Sequence, residues 1–475
     1  MKLIFNFIDK HITLTKPSIF KKKLSSVFVL LASLKFSRYP FALLVAYYLK
    51  MRSSSFSDGA KAGRIVLFAL SRRRIKTDAI ALAETGNFQI LSWPDNDQFF
   101  IQHRFLNSLD RKYFMKDEMS SEEKTAERNL QDFLNLMFPI FLKLISAKAV
   151  IGANFWYKQD IRFGRAAQDN NIPYIVFFKE SLKITKFEQD SILLMCKRLG
   201  CFGGERILTH NQSIANLIIK SGYCAPEQIG VSGAIRMSSF IKRCVNSSGE
   251  NDVKVNGNIS LFSFNPGLSL NGLAMPPWPK NPYKGWVRFF EAVHSCFAQA
   301  ALQKPEKRFI IKTKYDGLWH KRIEEACFAR NLNIAEIPNL TLIHEQSAHD
   351  IIFNSSVIVS FASTTLLESG LAKKHVIIPD FEETIDPYYR KHIKLLDFYP
   401  LAQVATSREE LISRICYMAD SDKTIPPTIQ KKRNSLFETY VASVKNDPLA
   451  IAVEEINSIV KKFAKIRQEA NEAKM

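Results

Sequence analysis

The stretch Ile358-Val-Ser-Phe-Ala-Ser-Thr-Thr-Leu-Leu-Glu-Ser-Gly-Leu-Ala-Lys-Lys-His-Val-Ile-Ile-Pro379 decides the fold class. It reads as an apolar strand, a turn of small hydroxyl residues, a short helix carrying one glutamate, and a β-branched second strand. This is a βαβ unit, and its polar chemistry is gathered at a helix start. Unpaired N–H groups and the helix dipole there favour an anion such as phosphate.

The same alternation runs in both directions from that stretch, as expected of a parallel sheet with crossover helices. Upstream, strand patterns at 64–70, 88–93, 149–155, 172–178, 206–210 and 229–233 alternate with helical patterns at 73–84, 123–145, 160–169 and 212–221. Residues 95–122 read as polar and irregular. After a polar linker at 246–257, strands at 259–264, 308–312 and 340–344 alternate with helices at 286–301 and 320–330. A charged helical pattern fills the tail. The expected divisions are a segment 1–60, a first doubly wound domain 61–245, the linker 246–257, a second domain 258–430 and a C-terminal helix 431–475.

A chain of 475 residues exceeds one ordinary core and fits two domains. Its seven cysteines are odd in number, scattered and free of any Cys-x-x-Cys pair, which fits a reducing compartment and no structural zinc site. The net charge is +20, and residues 1–80 hold sixteen Lys or Arg against three Asp, a local +13. Within that region Lys21, Lys22 and Lys23 precede two apolar runs, 27–34 and 41–48, each far short of the roughly 20 residues a spanning helix needs. A secretory signal fits poorly, since no small-residue cleavage site follows the first run. Two readings stay open: a basic apolar segment lying on an anionic membrane face, or a first helical pair with a solvated basic face. Nucleic acid is not expected, because no recognition motif accompanies the charge.

Three stretches carry a resemblance to a known superfamily. Ser360–Pro379 is similar to a C-domain signature of hydroxyl-rich turn, glutamate and Lys-x-Val-Ile-x-Pro return; Ile229-Gly-Val-Ser-Gly-Ala-Ile-Arg236 resembles an N-domain ending; Phe309-Ile-Ile-Lys-Thr-Lys314 occupies a Lys-x-His-Pro strand end. Together they resemble the glycosyltransferases of GT-B fold, nearest to bacterial surface-polysaccharide enzymes of the Kdo-transferase-like and CDP-glycerol-transferase-like groups. Lys314 and Tyr315 stand where those enzymes carry His and Pro, so the nucleotide is not assigned.

The resemblance implies an α/β fold of GT-B type, two Rossmann-like doubly wound domains facing across a cleft. It implies a nucleotide-sugar donor as substrate with no cofactor, and a glycan or lipid-linked acceptor. Ser363 and Thr364 would hold the donor phosphate and Glu368 a ribose. On the residues alone, Thr365 and Glu368 equally match a capping box needing no ligand. Lys312 and Lys314, two apart, are expected to share one strand face and to neutralise a leaving phosphate, or to be a solvated strand end. Asn265 and Gly267 belong to a donor-side loop permitting close backbone approach, and His344, which ends the next strand, is either structural or, as the resemblance implies, beside the nucleotide.

In the first domain Glu180 and His210, both at strand ends, are candidate general bases; an ion pair of Glu180 with Lys179 or Lys183 is the structural alternative. Gly233 and Arg236 are read either as cleft residues or as a hinge ion pair. No metal site is expected, since no Asp-x-Asp stands in a suitable place. The expected setting is cytoplasmic, peripheral on the inner face of a bacterial inner membrane. Alternatives are a phosphotransferase passing glycerol or ribitol phosphate from a CDP donor, a sugar-nucleotide 2-epimerase, and a non-catalytic scaffold. The epimerase reading lacks its paired acidic residues and Gly-Gly turn.

Overall fold

The computed structural model describes residues 28–32, 34–56, 63–106, 119–246, 257–270, 278–281 and 283–473. The basic cluster at 21–23, most of the expected linker and the end of the loop after Leu270 lie outside them. Two compact units divide the chain: the first takes the described residues of Met1–Ser181, Leu193–Arg236 and Asn446–Met475, the second those of Leu182–Ile192 and Met237–Lys445.

The first unit is built on seven strands: β1 (Ser54–Ser55), β2 (Ile65–Ala69), β3 (Phe88–Ser92), β4 (Ala149–Gly152), β5 (Tyr174–Phe177), β6 (Arg206–Thr209) and β7 (Ile229–Val231). Their order is β1-β3-β2-β4-β5-β6-β7. All pairs are parallel except β1, which runs antiparallel along β3. Every residue of β4 and β5 is buried, as continuous apolar runs require when helices cover both sheet faces.

Helices α1 (Lys35–Arg52), α2 (Arg72–Glu84), α3 (Asp95–Leu106), α4 (Ser121–Leu144), α5 (Lys158–Gln168), α6 (Lys186–Leu199) and α7 (Gln212–Lys220) follow in chain order. The start of α4 is a capping box: Ser120 N donates to Glu123 at 2.7 Å and Glu123 N donates to the Ser120 hydroxyl at 3.2 Å. Helix α3 corrects the expectation of an irregular segment from 95. Its polar composition hid it, yet Asp95 and Asp97 in the first turn and His103 and Arg104 in the last match the helix dipole. Asp97 also receives Arg52 Nε at 2.8 Å, fastening α3 to α1.

A buried polar knot joins α5, α3 and the β2–α2 turn. Ser71, in the left-handed region at φ 52, donates its hydroxyl to Asp160 Oδ1 at 2.7 Å, and Gln98 Nε2 donates to the same oxygen at 2.8 Å. Asp160 is fully buried and its Oδ2 has no hydrogen-bond partner, so burial raises the carboxyl from 3.8 to about 6. The folded state therefore keeps a proton that the unfolded chain releases above pH 3.8. Stability from this group is present below that value and is lost as pH rises through about 6, a total of about 3 kcal/mol. Denaturation curves from pH 4 to 7 are expected to show this loss in the native protein and not in Asp160→Asn. A constant difference between the two across that window would refute the assignment.

The second unit carries β8 (Asn258–Phe262), β9 (Phe309–Lys312), β10 (Leu340–Ile343), β11 (Ser355–Val359), β12 (His375–Pro379) and β13 (Gln403–Ala405), all parallel, in the order β10-β9-β8-β11-β12-β13. Its helices are α8 (Ser238–Asn246), α9 (Val287–Gln303), α10 (Leu318–Phe328), α11 (Ala348–Asn354), α12 (Thr364–Leu371), α13 (Pro387–Arg390), α14 (Arg408–Ala419) and α15 (Pro427–Tyr440). The α/β class with two separate doubly wound parallel sheets is thus as expected.

The tail is two helices rather than one. The last, α16 (Pro448–Glu472), belongs to the first unit. Ala452, Ile456, Ile459 and Phe463 recur at helical spacing and enter the core formed by Leu67, Ile75, Ile90 and Ile151. Arg206 adds a fork to Glu455 at 3.0 and 2.8 Å.

Candidate functional site

In the second sheet the chain runs outward from β8 through β9 to β10, then returns to β11 and proceeds the other way. The C-terminal ends of β8 and β11, adjacent with Leu261 opposite Val359, therefore flank the topological switch point, where open α/β sheets bind ligands. Two of the stretches singled out in the sequence meet there. Ser263 to Leu268 leave β8, and Ser360 to Thr364 leave β11.

Ala362 reverses the chain at φ 48, and Ser363 becomes the N-cap of α12. Its hydroxyl accepts from Thr365 N at 3.3 Å and lies 3.1 Å from Thr365 Oγ1. Thr365 is therefore inside the helix, and the Thr365–Glu368 capping box does not form. Glu368 is buried one turn in, with its carboxylate 3.7 Å from His349 Nε2. Across the switch point, Gly267 N donates to Asn265 Oδ1 at 3.0 Å, closing a tight turn. Trp286 holds this turn from the start of α9, through its N–H to Pro266 O at 2.8 Å and its indole to Leu268 O at 2.7 Å.

Lys312 ends β9, and its ammonium donates to Thr313 O at 2.7 Å and His344 O at 2.6 Å, fastening β9 to the end of β10. Burial lowers its pKa. Lys314 lies beyond the strand, exposed, with its ammonium 5.5 Å from the Tyr315 ring. The two lysines do not share a strand face, because β9 stops at the first of them. The His344 ring is 5.7 Å from that of His320, whose Nε2 is 2.9 Å from the Thr313 hydroxyl.

The sequence reading missed a further network beside the switch point. Ser263 Oγ is 2.8 Å from His294 Nε2 and accepts from the Trp319 indole at 2.8 Å. His294 Nδ1 lies 2.6 Å from Phe290 O, which assigns the ring proton to Nδ1 and makes Nε2 the acceptor for Ser263. Full burial lowers this histidine to about 4, so it is neutral at pH 7. A histidine mid-helix gives no such signal in sequence.

In the first sheet the switch point lies between β2 and β4. Around it, Glu180 follows β5 and accepts a hydrogen bond from the Tyr157 hydroxyl at 2.6 Å, while the Arg74 guanidinium covers the Tyr157 ring at 3.9 Å. Burial and the Glu180 charge raise the Tyr157 pKa above its ordinary value, so the phenol remains a donor. Lys179 turns away to Arg74 O at 2.7 Å and Thr77 Oγ1 at 3.1 Å, 3.2 Å from the buried Asp78 carboxylate. Arg236 lies 3.8 Å from the other oxygen of Asp78. Gly233, at φ 79, makes the turn that leads to it. His210 follows β6, and its backbone N–H donates to Ser181 Oγ at 3.2 Å. Burial, with Arg236 and Lys179 nearby, holds its pKa well below the ordinary value, leaving a neutral imidazole.

Among the described residues no group of three His, Cys, Asp or Glu side chains stands close enough to hold a metal ion, and all seven cysteines are free. No family model matches the chain, and no curated protein sequence matches it. Solved structures are similar to it at low identity. UDP-GlcNAc 2-epimerase from Neisseria meningitidis is 11% identical with a TM-score of 0.44, covering 83% of this chain and 99% of its own. A glycosyltransferase from Rickettsia africae is 13% identical, TM-score 0.42, covering 84% and 100%. A UDP-forming trehalose-phosphate synthase from Burkholderia xenovorans is 10% identical, TM-score 0.40, covering 84% and 99%. Likenesses of this degree assign no reaction.

Proposed function

We propose that this chain is a glycosyltransferase of GT-B type that moves a sugar from a CMP- or UDP-linked donor to a bacterial surface polysaccharide or lipid-linked acceptor. The observation that carries the reading is the second unit's switch point. A helix start with Ser363 and Thr364 stands beside the Asn265–Gly267 turn, at the place where a parallel sheet presents backbone N–H groups to a phosphate. No capping box engages Glu368, but its carboxylate is buried 3.7 Å from His349 Nε2, so a ribose contact would be made from that pair. Lys314 is the exposed cation that would balance charge on the departing phosphate, and Lys312 orders the strand end behind it. In the first unit Glu180, oriented by Tyr157, would take the proton of the acceptor hydroxyl.

A thermal-shift screen with CMP, CDP, UDP and GDP tests the donor site. A bound nucleotide at 100 times its dissociation constant is expected to stabilise the fold by about 2.7 kcal/mol. Glu368→Ala should weaken that nucleotide about tenfold, the value of one hydrogen bond to a charged group. No shift with any of the four would overturn the reading, and CDP-glycerol in the same screen separates the phosphotransferase.

A further inference from the structure

Helix α1 has two apolar faces, and among the described residues one packs on α4 while the other is exposed. Ala42, Val45, Ala46 and Leu49 are buried, facing α4. On the other side Phe36, Tyr39, Tyr47 and Met51 are 80, 57, 47 and 67% exposed. Together with the exposed Pro40 and the half-buried Leu43 they form one stripe along the helix, since residues three or four apart share a face. A contiguous apolar patch of this kind on a folded surface marks an interaction site.

The charge around the stripe selects the partner. Helix α1 holds no acidic residue, and two of its cations are turned toward the fold, Arg52 onto Asp97 at 2.8 Å and Arg38 to 3.9 Å from Asp132. Lys50 is exposed within the stripe itself. The chain before α1 adds Lys2, Lys10, Lys16, Lys21, Lys22 and Lys23 against a single acid, Asp9. No described helix is long and apolar enough to cross a membrane. An apolar, aromatic stripe with Lys50 inside it, a basic chain before it and no spanning length fits the interfacial layer of a bilayer with anionic headgroups. We infer that α1 docks the protein on an anionic membrane surface by inserting Phe36, Tyr39, Tyr47 and Met51 at headgroup depth. This surface does not depend on which reaction the site performs.

Co-sedimentation of the full chain with vesicles tests the inference. Vesicles of phosphatidylcholine with phosphatidylglycerol are expected to bind the protein about tenfold better than phosphatidylcholine alone, with the advantage shrinking as salt rises. The triple variant Phe36→Ser, Tyr47→Ser, Met51→Ser should lose about tenfold or more in binding, and Lys50→Glu should lose a comparable amount. All four side chains are solvent-exposed, so the melting temperature should not move. Binding by the triple variant equal to the native protein would overturn the inference, as would failure of the native protein to bind anionic vesicles. A native dimer that the triple variant abolishes, without vesicle binding, would assign the stripe to a second copy instead.

Discussion

Glu180→Gln is expected to lower the rate of sugar transfer by about 10²–10⁴-fold, the range that loss of a general base produces. Glutamine keeps the size of the side chain and an oxygen for the Tyr157 hydroxyl, which donates to Glu180 at 2.6 Å. It cannot accept the acceptor's proton. The fall should appear in kcat, and nucleotide stabilisation should be unchanged, because the residues proposed to hold the donor belong to the second unit. Tyr157→Phe should give a smaller fall, since it removes only the group that orients the carboxylate. Unchanged transfer by Glu180→Gln, with a large loss in His210→Asn, would move the base to His210. Glu180 is proposed first because the Tyr157 hydroxyl orients its carboxylate at 2.6 Å.

The parts of this molecule that were legible in sequence are those set by local pattern. Buried parallel strands such as Tyr174–Phe177 and Val376–Ile378 are unbroken apolar runs, and the hydroxyl-rich turn after β11 marks a helix start. What sequence missed depends on contacts between distant residues or on where a strand stops. The cap fell on Ser363 rather than Thr365 because Ala362 adopts a left-handed turn, which shifts the helix start and leaves Glu368 buried beside His349 instead of at a cap. Lys312 and Lys314 were paired by period two, but the strand ends between them. Tyr157 reaches Glu180 from 23 positions away, and Ser263 meets His294 and Trp319 from 31 and 56 positions away, distances that spacing does not reveal. Helix α16 joined the first unit for the same reason: its apolar face matches a surface assembled nearly 300 residues earlier, about Ile151 and Ile175.

Glu383→Ala is expected to reduce stability by about 4 kcal/mol and to weaken nucleotide binding with it. Glu383 is almost wholly buried, and its carboxylate accepts from Arg288 N at 3.0 Å, Phe289 N at 2.7 Å and Arg288 Nε at 3.2 Å. These are the first-turn donors of α9, whose N-cap Trp286 gives them no side-chain bond. Alanine strands two backbone N–H groups at about 1–3 kcal/mol each and removes a charge that the helix dipole favours by about 0.3–1 kcal/mol. The effect should reach the proposed donor site through Trp286, which sits at that helix start and holds Pro266 O and Leu268 O. A loosened α9 start should therefore disorder the Asn265–Gly267 turn. Glu383→Gln keeps one acceptor oxygen and should lose about half as much. Urea denaturation measures the first effect and the nucleotide thermal shift the second. A destabilised Glu383→Ala protein that binds nucleotide as tightly as the native chain would break the proposed link from α9 through Trp286 to the switch point.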